Sequence, residues 1–110
     1  MELPELALKK ERGNTHHIYL YYMEERWWTF GYSAFYLNMI HKELKAETTK
    51  VTEPGYDEYI PCMPVQDSCL LKLTEIHDTL VYDTCIQVDV PPTIYCYRND
   101  YEKWCKELNG

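Results

Sequence analysis

Residues 18–33 place the strongest constraint on the fold, because two aromatic runs meet there across a charged triplet. The runs cover Ile18–Met23 and Trp27–Gly31, and both are rich in the ring-bearing residues that favour β-strands. The charged triplet between them predicts a turn, so the stretch as a whole predicts a β-hairpin. Apolar residues at helical spacing follow Ser33, which predicts a helix that Ser33 caps and that ends near Lys45.

The rest of the chain predicts further helices and strands in alternation. The predicted elements are a short helix Pro4–Arg12, an edge strand Glu47–Val51, a helix from Asp67 to about Ile76, a strand Thr79–Val90, a short strand Thr93–Tyr97 and a terminal helix capped by Asn99. Tyr56–Val65 contains two prolines, and we expect it to be mostly irregular apart from a brief pairing at residues 58–60.

The order of these elements predicts the fold class. Helices and strands in this order predict a single mixed α/β sandwich domain over residues 1–110, with a central sheet of four to five strands and flanking helices. The residues of the predicted strand Thr79–Val90 alternate between apolar and polar. We therefore expect one face of this strand to be buried, and the residues expected on it are Leu80, Tyr82, Ile86, Val88 and Val90.

The charge balance limits the kinds of partner that the chain attracts. Its formal net charge is −7, which opposes loose attraction to a phosphate backbone. Eleven tyrosines and three tryptophans are a heavy aromatic load for 110 residues. Such residues favour sheet faces and the centres of protein interfaces.

The cysteines and the first residues of the chain predict a cytoplasmic protein. The five cysteines are odd in number and widely spaced, and residues 1–6 lack the basic lead and apolar run of a signal peptide. No run of apolar residues is as long as a membrane-spanning helix requires. We therefore expect reduced thiols, a cytoplasmic location and no membrane partner.

No catalytic, metal-binding or cofactor-binding motif stands out. The side chains of the adjacent His16 and His17 diverge, and no cysteine or histidine has the tight spacing of a zinc site. The four glycines are scattered, so no phosphate-binding loop is predicted. Pairing of a cysteine with His41 or His77 has no local support. We expect a non-enzymatic protein without metal or cofactor.

The hairpin resembles the N-terminal, mismatch-recognition domain of MutS-type DNA mismatch repair proteins. Seven residues match that family in residue type or in aromatic character, namely Ile18, Leu20, Tyr21, Tyr22, Trp27, Trp28 (a tyrosine in the family) and Tyr32. Ser33 takes the place of the family's helix-capping aspartate. Residues 60–64, 71–73 and 85–87 resemble the family's I-P-x-x-x-I-P, A-K-L and I-C-E-Q segments. The resemblance implies a fold like that of MutS domain I and contact with DNA.

The resemblance also implies which residues touch the nucleic acid. In that family a phenylalanine wedges beside the mismatched base and a glutamate two residues later hydrogen-bonds to it; the matching positions here are Trp27 and Thr29. Tryptophan can stack on a base, at about 1–3 kcal/mol per base, whereas threonine lacks the carboxylate. Glu25 and Arg26 replace the family's glycine and aspartate, so the departures from the family fall on the recognition residues. An alignment shifted by one residue places Arg26 at the wedge position and Trp28 at the glutamate position, which removes the motif.

A basic cluster in the first predicted helix could share a surface with the hairpin. The predicted nucleic-acid site therefore comprises Lys9, Lys10, Arg12, Arg26, Trp27 and Thr29. The first hypothesis is a small non-enzymatic module that contacts DNA there. The alternative is a protein–protein interaction module, with another protein or a second copy as its partner, in which the tryptophans pack within the sheet and the basic residues end a solvated helix.

Overall fold

Four helices and one six-stranded sheet form the described part of the chain. The computed structural model describes residues 5–11, 14, 17–50, 59–82, 84–90 and 98–108. The elements in chain order are α1 (Glu5–Glu11), β1 (His17–Met23), β2 (Arg26–Phe30), α2 (Gly31–Ile40), β3 (Glu47–Lys50), β4 (Tyr59–Val65), α3 (Asp67–Ile76), β5 (Thr79–Val81), β6 (Cys85–Asp89) and α4 (Arg98–Leu108). The mixed α/β class is confirmed, but the sheet has more strands than the four to five predicted.

The sheet is antiparallel in every pairing and runs in the order β3-β4-β2-β1-β6-β5. The predicted hairpin lies at its centre as β1 and β2, in a register that places Tyr22 opposite Trp27. Glu24 and Glu25 form the turn, both with positive φ (51° and 65°). A two-residue turn of this kind matches the twist of its strands. Arg26, predicted as a turn residue, is thus the first residue of β2.

The sixth strand arises because Tyr59–Val65, predicted to be mostly irregular, is the regular strand β4. Pro61 is paired only with β3, and Pro64 only with β2. Each proline therefore has a ladder on one side only, where a missing N–H is tolerated. The two prolines predicted a break because this one-sided pairing is not visible in the sequence.

The predicted strand Thr79–Val90 is two strands, β5 and β6, that fold back on each other. The Tyr82 N–H donates to the Cys85 carbonyl oxygen across the reversal (2.8 Å). The reversal overturns the expected burial of Leu80 and Tyr82, which are exposed, whereas Ile86 and Val88 are buried. The prediction for Thr93–Tyr97 lies outside the described residues.

Two apolar clusters cover the two faces of the sheet. The larger cluster has its buried residues on β1, α2, β4, α3 and β6, namely Ile18, Leu20, Ala34, Phe35, Tyr36, Leu37, Met63, Val65, Leu73, Ile86 and Val88. Tyr101 and Trp104 of α4 pack against it. The smaller cluster lies on the opposite face beneath α1 and consists of Ala7, Tyr21, Phe30, Cys62 and Cys85.

Helix α2 begins and ends earlier than predicted. Its first residue is Gly31, with φ at +56°, and its last is Ile40 rather than a residue near Lys45. Ser33 is therefore a residue of the first turn and not the cap, since the N-cap position is Phe30. A serine ahead of a helical apolar pattern predicts a cap, but the Ser33 hydroxyl instead makes hydrogen bonds with residues distant in the chain, Glu11 and Tyr19. Helix α4 likewise begins at Arg98, before the predicted cap Asn99.

Candidate functional site

Arg26 and Trp27 line an open groove at the hairpin end of the sheet. The groove has a volume of about 670 Å³, and its lining residues are Glu25, Arg26, Trp27, Glu43, Leu44, Lys45, Pro64, Val65, Gln66 and Asp67. The Trp27 indole is half-buried, packs on the larger cluster and makes an edge contact with the Tyr22 ring (5.3 Å between centroids). Trp27 thus supports the core with part of its indole and lines the groove with the rest.

The groove carries charges of both signs. Arg26 and Lys45 are its cations, and Glu25, Glu43 and Asp67 are its carboxylates. The carboxylates outnumber the cations, so the groove does not form a positive surface for a phosphate backbone. Trp27 and Arg26 both line this groove, in mixed electrostatic surroundings.

Thr29 lies inside the sheet. Its side chain has no exposed surface (0 %), and its hydroxyl donates to the Tyr19 carbonyl oxygen (3.0 Å). A group at this position has no surface to present to a base in this conformation. The neighbouring Trp28 lies on the opposite face of β2, where its Nε1–H donates to the Met23 carbonyl oxygen (3.2 Å).

The basic residues of α1 lie on the other face of the sheet from Trp27. The Lys10 amine is 4.9 Å from the centre of the Tyr19 ring and 5.4 Å from that of Tyr82. Tyr19 belongs to the face of the smaller cluster, whereas Trp27 packs against the larger cluster. Lys9 is exposed on the same helix. The structure therefore does not bring Lys9 and Lys10 together with Trp27, and Arg12 lies outside the described residues.

A second candidate surface comprises the exposed apolar side chains of β5 and of the residues next to it in the chain. Five of the eight exposed large apolar residues of the described chain lie between Leu71 and Tyr82. We define the β5 edge patch as Ile76, Leu80, Val81 and Tyr82; the most exposed are Ile76 (75 %) and Val81 (72 %). Sequence reasoning missed this patch because it treated Leu80 and Tyr82 as core residues of one long strand.

The two edges of the sheet differ in chemistry. Strand β3, at one edge, has the sequence Glu-Thr-Thr-Lys, and charged residues of this kind discourage further strands from pairing. Strand β5, at the other edge, has the sequence Thr-Leu-Val and pairs only with β6 among the described strands. Within the described part of the chain, β5 is therefore the edge strand with fewer charges to discourage the pairing of a further strand.

A buried polar network joins α1, α2 and β1. The Glu11 carboxylate accepts hydrogen bonds from the Ser33 N–H (3.0 Å), the Asn14 amide (3.2 Å) and the Ser33 hydroxyl. The Ser33 oxygen in turn accepts from the Tyr19 N–H (2.9 Å) and the Asn14 amide (3.2 Å). Burial raises the pKa of Glu11 from its ordinary value of 4.5 to about 7, against the lowering effect of these bonds.

This network is structural. Strongly shifted acids often mark functional sites, but Glu11, Asn14 and Ser33 are all buried, which leaves no exposed surface for a substrate. The network could not be predicted from a local sequence pattern, because Glu11 and Ser33 are 22 residues apart in the chain. It takes the place of the cap that Ser33 was predicted to provide.

The described residues offer little to a metal ion or a nucleophilic reaction. Within them, no group of three or more His, Cys, Asp or Glu side chains has the arrangement of a metal site. Burial raises the pKa of the Cys62 and Cys85 thiols, which disfavours the thiolate. Within the same residues, no helix has the length and apolar character that crossing a membrane requires.

Comparisons of the chain with protein-family models, with curated proteins and with solved structures found no match. The likeness to the MutS mismatch-recognition domain therefore rests on the sequence of the hairpin and the segments named with it.

Proposed function

We propose that the chain is a non-enzymatic binding module that accepts a strand of a polypeptide at the open edge of β5. The observation that carries this proposal is the β5 edge patch, since Leu80 and Val81 extend exposed apolar side chains from an edge strand. An edge strand supplies main-chain hydrogen bonds to an added strand, and its side chains supply selectivity. The charged edge at β3 makes β5 the favoured position.

Energetics also favour covering this edge. The patch leaves the branched side chains of Ile76 and Val81 mostly in water. Removing apolar surface from water contributes about 25 cal/mol per Å², and Leu80 and Val81 expose such surface on opposite faces of β5. The four described cysteines are free thiols, which supports a reducing, cytoplasmic setting for the binding.

Site-specific photo-crosslinking in cells that express the chain tests the proposal. A benzoylphenylalanine at position 80 samples the β5 edge, and the same residue at position 49 samples the β3 edge as a matched control. We expect a polypeptide adduct from position 80 and none from position 49. No adduct at position 80, or equal adducts at both positions, would contradict the proposal.

Contact of the Trp27 groove with DNA is the second candidate. The hairpin resemblance supports it, together with the cations Arg26 and Lys45, which line the same groove as the indole. Fluorescence anisotropy at low salt with single-stranded, duplex and mismatched DNA tests it. Trp27→Ala is the variant, and Tyr59→Ala, at an exposed ring outside the groove, is the control. Binding that only Trp27→Ala removes would favour this candidate over the strand-binding module.

A further inference from the structure

Helix α1 covers the face of the sheet that carries the smaller cluster. The helix has seven residues, and its Ala7 side chain is buried in that cluster with Tyr21, Phe30, Cys62 and Cys85. A helix this short is not stable in water without tertiary contacts. Helix α1 therefore stays folded only while the sheet and α2 hold it in place.

The last residue of α1 holds the helix in place through a buried carboxyl group. Glu11 accepts hydrogen bonds from Ser33 and Asn14, and also from the Tyr32 backbone N–H. The other titratable groups that interact electrostatically with it are the phenols of three tyrosines, namely Tyr19, Tyr21 and Tyr101. The groups that face the Glu11 carboxyl from α2 and β1 are therefore uncharged near neutral pH.

The charged side chains next to this network have other partners. The Lys10 amine, on α1 itself, lies 4.9 Å from the centre of the Tyr19 ring, and His17 of β1 pairs with Asp89 of β6 (3.3 Å). Within the described residues, no salt bridge includes Glu11. A charge at Glu11 therefore stays buried among dipoles, which costs far more than burial of the neutral acid. Ionisation of Glu11 should weaken the attachment of α1.

The Tyr21 hydroxyl, on the face that α1 covers, gives independent support for opening. Tyr21 is 4 % exposed, and its hydroxyl has no hydrogen-bond partner within the described part of the chain. A buried hydroxyl without a partner disfavours the closed arrangement, and water satisfies it once the face is exposed. The Cys85 thiol interacts electrostatically with both Tyr21 and Lys10, so it lies where α1 meets the sheet.

From this arrangement we propose that α1 is a cover that opens as the pH rises through neutrality and exposes the Cys62 and Cys85 thiols. The protonated Glu11 network keeps the cover closed in mild acid. Loss of the proton releases the end of α1, and the Tyr21 hydroxyl gains water as the helix leaves the sheet. The pH range follows from the pKa of Glu11, which burial raises to about 7. This device goes beyond strand binding at β5 and does not depend on it.

Labelling of the thiols of the purified chain with N-ethylmaleimide between pH 5 and pH 8 tests the proposal. Peptide mass spectrometry assigns the label to each cysteine, and division by the rate for the urea-unfolded chain removes the reagent's own dependence on thiolate. The protection of Cys62 and Cys85 should fall on the order of 50-fold over this range, because the pKa of Glu11 is about 7 when closed and 4.5 in water. Protection that does not fall would overturn the proposal.

Labelling in low urea separates the opening of α1 from unfolding of the whole chain. Opening of a short helix exposes little surface, so labelling rates at pH 8 should change less than about twofold below the unfolding transition. Rates that rise with urea as steeply as global unfolding would overturn the proposal. Cys105 of α4 is the internal control, since α4 packs on the larger cluster; its protection should change less than about threefold with pH.

Two variants test the assigned residues. Glu11→Gln does not titrate and should reduce the fall in protection to less than about threefold, whereas Glu75→Gln, at an exposed position of α3, should keep the fall in full. Tyr21→Phe removes the unpartnered hydroxyl and should raise protection at least about threefold at every pH. An equal fall in wild type and Glu11→Gln, or a Tyr21→Phe variant without added protection, would overturn the proposal.

Discussion

The Glu11 carboxylate accepts hydrogen bonds from both the backbone N–H and the hydroxyl of Ser33, and so joins the end of α1 to the first turn of α2. The first N–H groups of a helix have no partner within it and favour an anion. The N-cap residue of α2, Phe30, has no side-chain acceptor for these N–H groups. The Glu11 carboxylate, at the end of another helix, accepts from one of them instead. The same hydrogen-bond network includes β1, because the Tyr19 N–H donates to the Ser33 oxygen.

Glu11 should make the stability of the protein depend on pH near neutrality. Its pKa is about 7 in the folded chain and 4.5 as the ordinary value, so between these values the folded state binds more protons than the unfolded state. The free energy of unfolding should therefore fall as pH rises from about 4.5 to above 7, by about 3 kcal/mol from this group. Urea unfolding at a series of pH values measures the change.

Glu11→Gln isolates this component because the amide does not titrate. The difference in free energy of unfolding between wild type and Glu11→Gln should favour the wild type most at pH 5 and shrink or reverse by pH 8. Glu75→Gln, on the exposed side of α3, is the control and should give no such trend. Parallel pH curves for wild type and Glu11→Gln would show that Glu11 is ionised in the folded state throughout this range.

Removing the Ser33 hydroxyl should destabilise the fold. Ser33→Ala deletes the acceptor of the Tyr19 N–H and the donor to Glu11, which leaves buried groups with fewer partners. We expect a loss of about 2–4 kcal/mol in the free energy of unfolding, since each unsatisfied buried group costs about 1–3 kcal/mol. Denaturant unfolding measures it. Ser68→Ala, at an exposed position of α3, should change stability little, and equal losses in both variants would contradict the assigned network.

The hairpin turn should be improved by glycine. Glu25 has a φ of 65°, which costs a residue with a side chain about 1 kcal/mol. Glu25→Gly should therefore raise the free energy of unfolding by about 0.5–1 kcal/mol and raise the melting temperature in calorimetry. Glu43→Gly is the matched control, since Glu43 is exposed without a positive φ, and it should not stabilise. A destabilised Glu25→Gly variant would show that this turn geometry is not maintained in solution.

A carboxylate at position 29, as in the family that the hairpin resembles, should be poorly tolerated. Thr29 is buried in the sheet, so Thr29→Glu would place an unpaired charge there. The cost should be at least about 3 kcal/mol in the free energy of unfolding. Thr49→Glu on β3 is the control and should cost less than about 1 kcal/mol. A stable Thr29→Glu protein would indicate that position 29 opens to solvent or to a ligand.

The secondary-structure elements whose conformation depends on residues close together in the chain could be predicted from the sequence. The hairpin of β1 and β2 follows from ring-rich strands on either side of a charged turn, and α3 from its helical spacing. The Ser33 cap could not be predicted correctly, because Glu11 supplies the acceptor from outside the local segment. Strand β4 was hidden by its prolines, whose tolerance depends on where neighbouring strands end.

In the candidate site, too, arrangements that depend on adjacent residues could be predicted, whereas arrangements that depend on distant parts of the chain could not. Arg26 and Trp27 lie beside one another in the groove, as adjacent residues of a hairpin should. The placement of Lys10 on the opposite face depends on which side of the sheet α1 packs against, and no local pattern encodes that choice. The β5 edge patch was missed because alternation alone cannot reveal that a strand reverses direction.

The packing of α1 has a practical consequence for fragments of the chain. Ala7 is completely buried in the smaller cluster, and Glu11, at the end of the same helix, holds the first turn of α2. A truncated protein that starts at β1 would lose the helix that covers the smaller cluster. It would also lose the Glu11 carboxylate that accepts from the first turn of α2. Affinity tags and domain fusions should therefore be attached ahead of α1, with the helix kept whole.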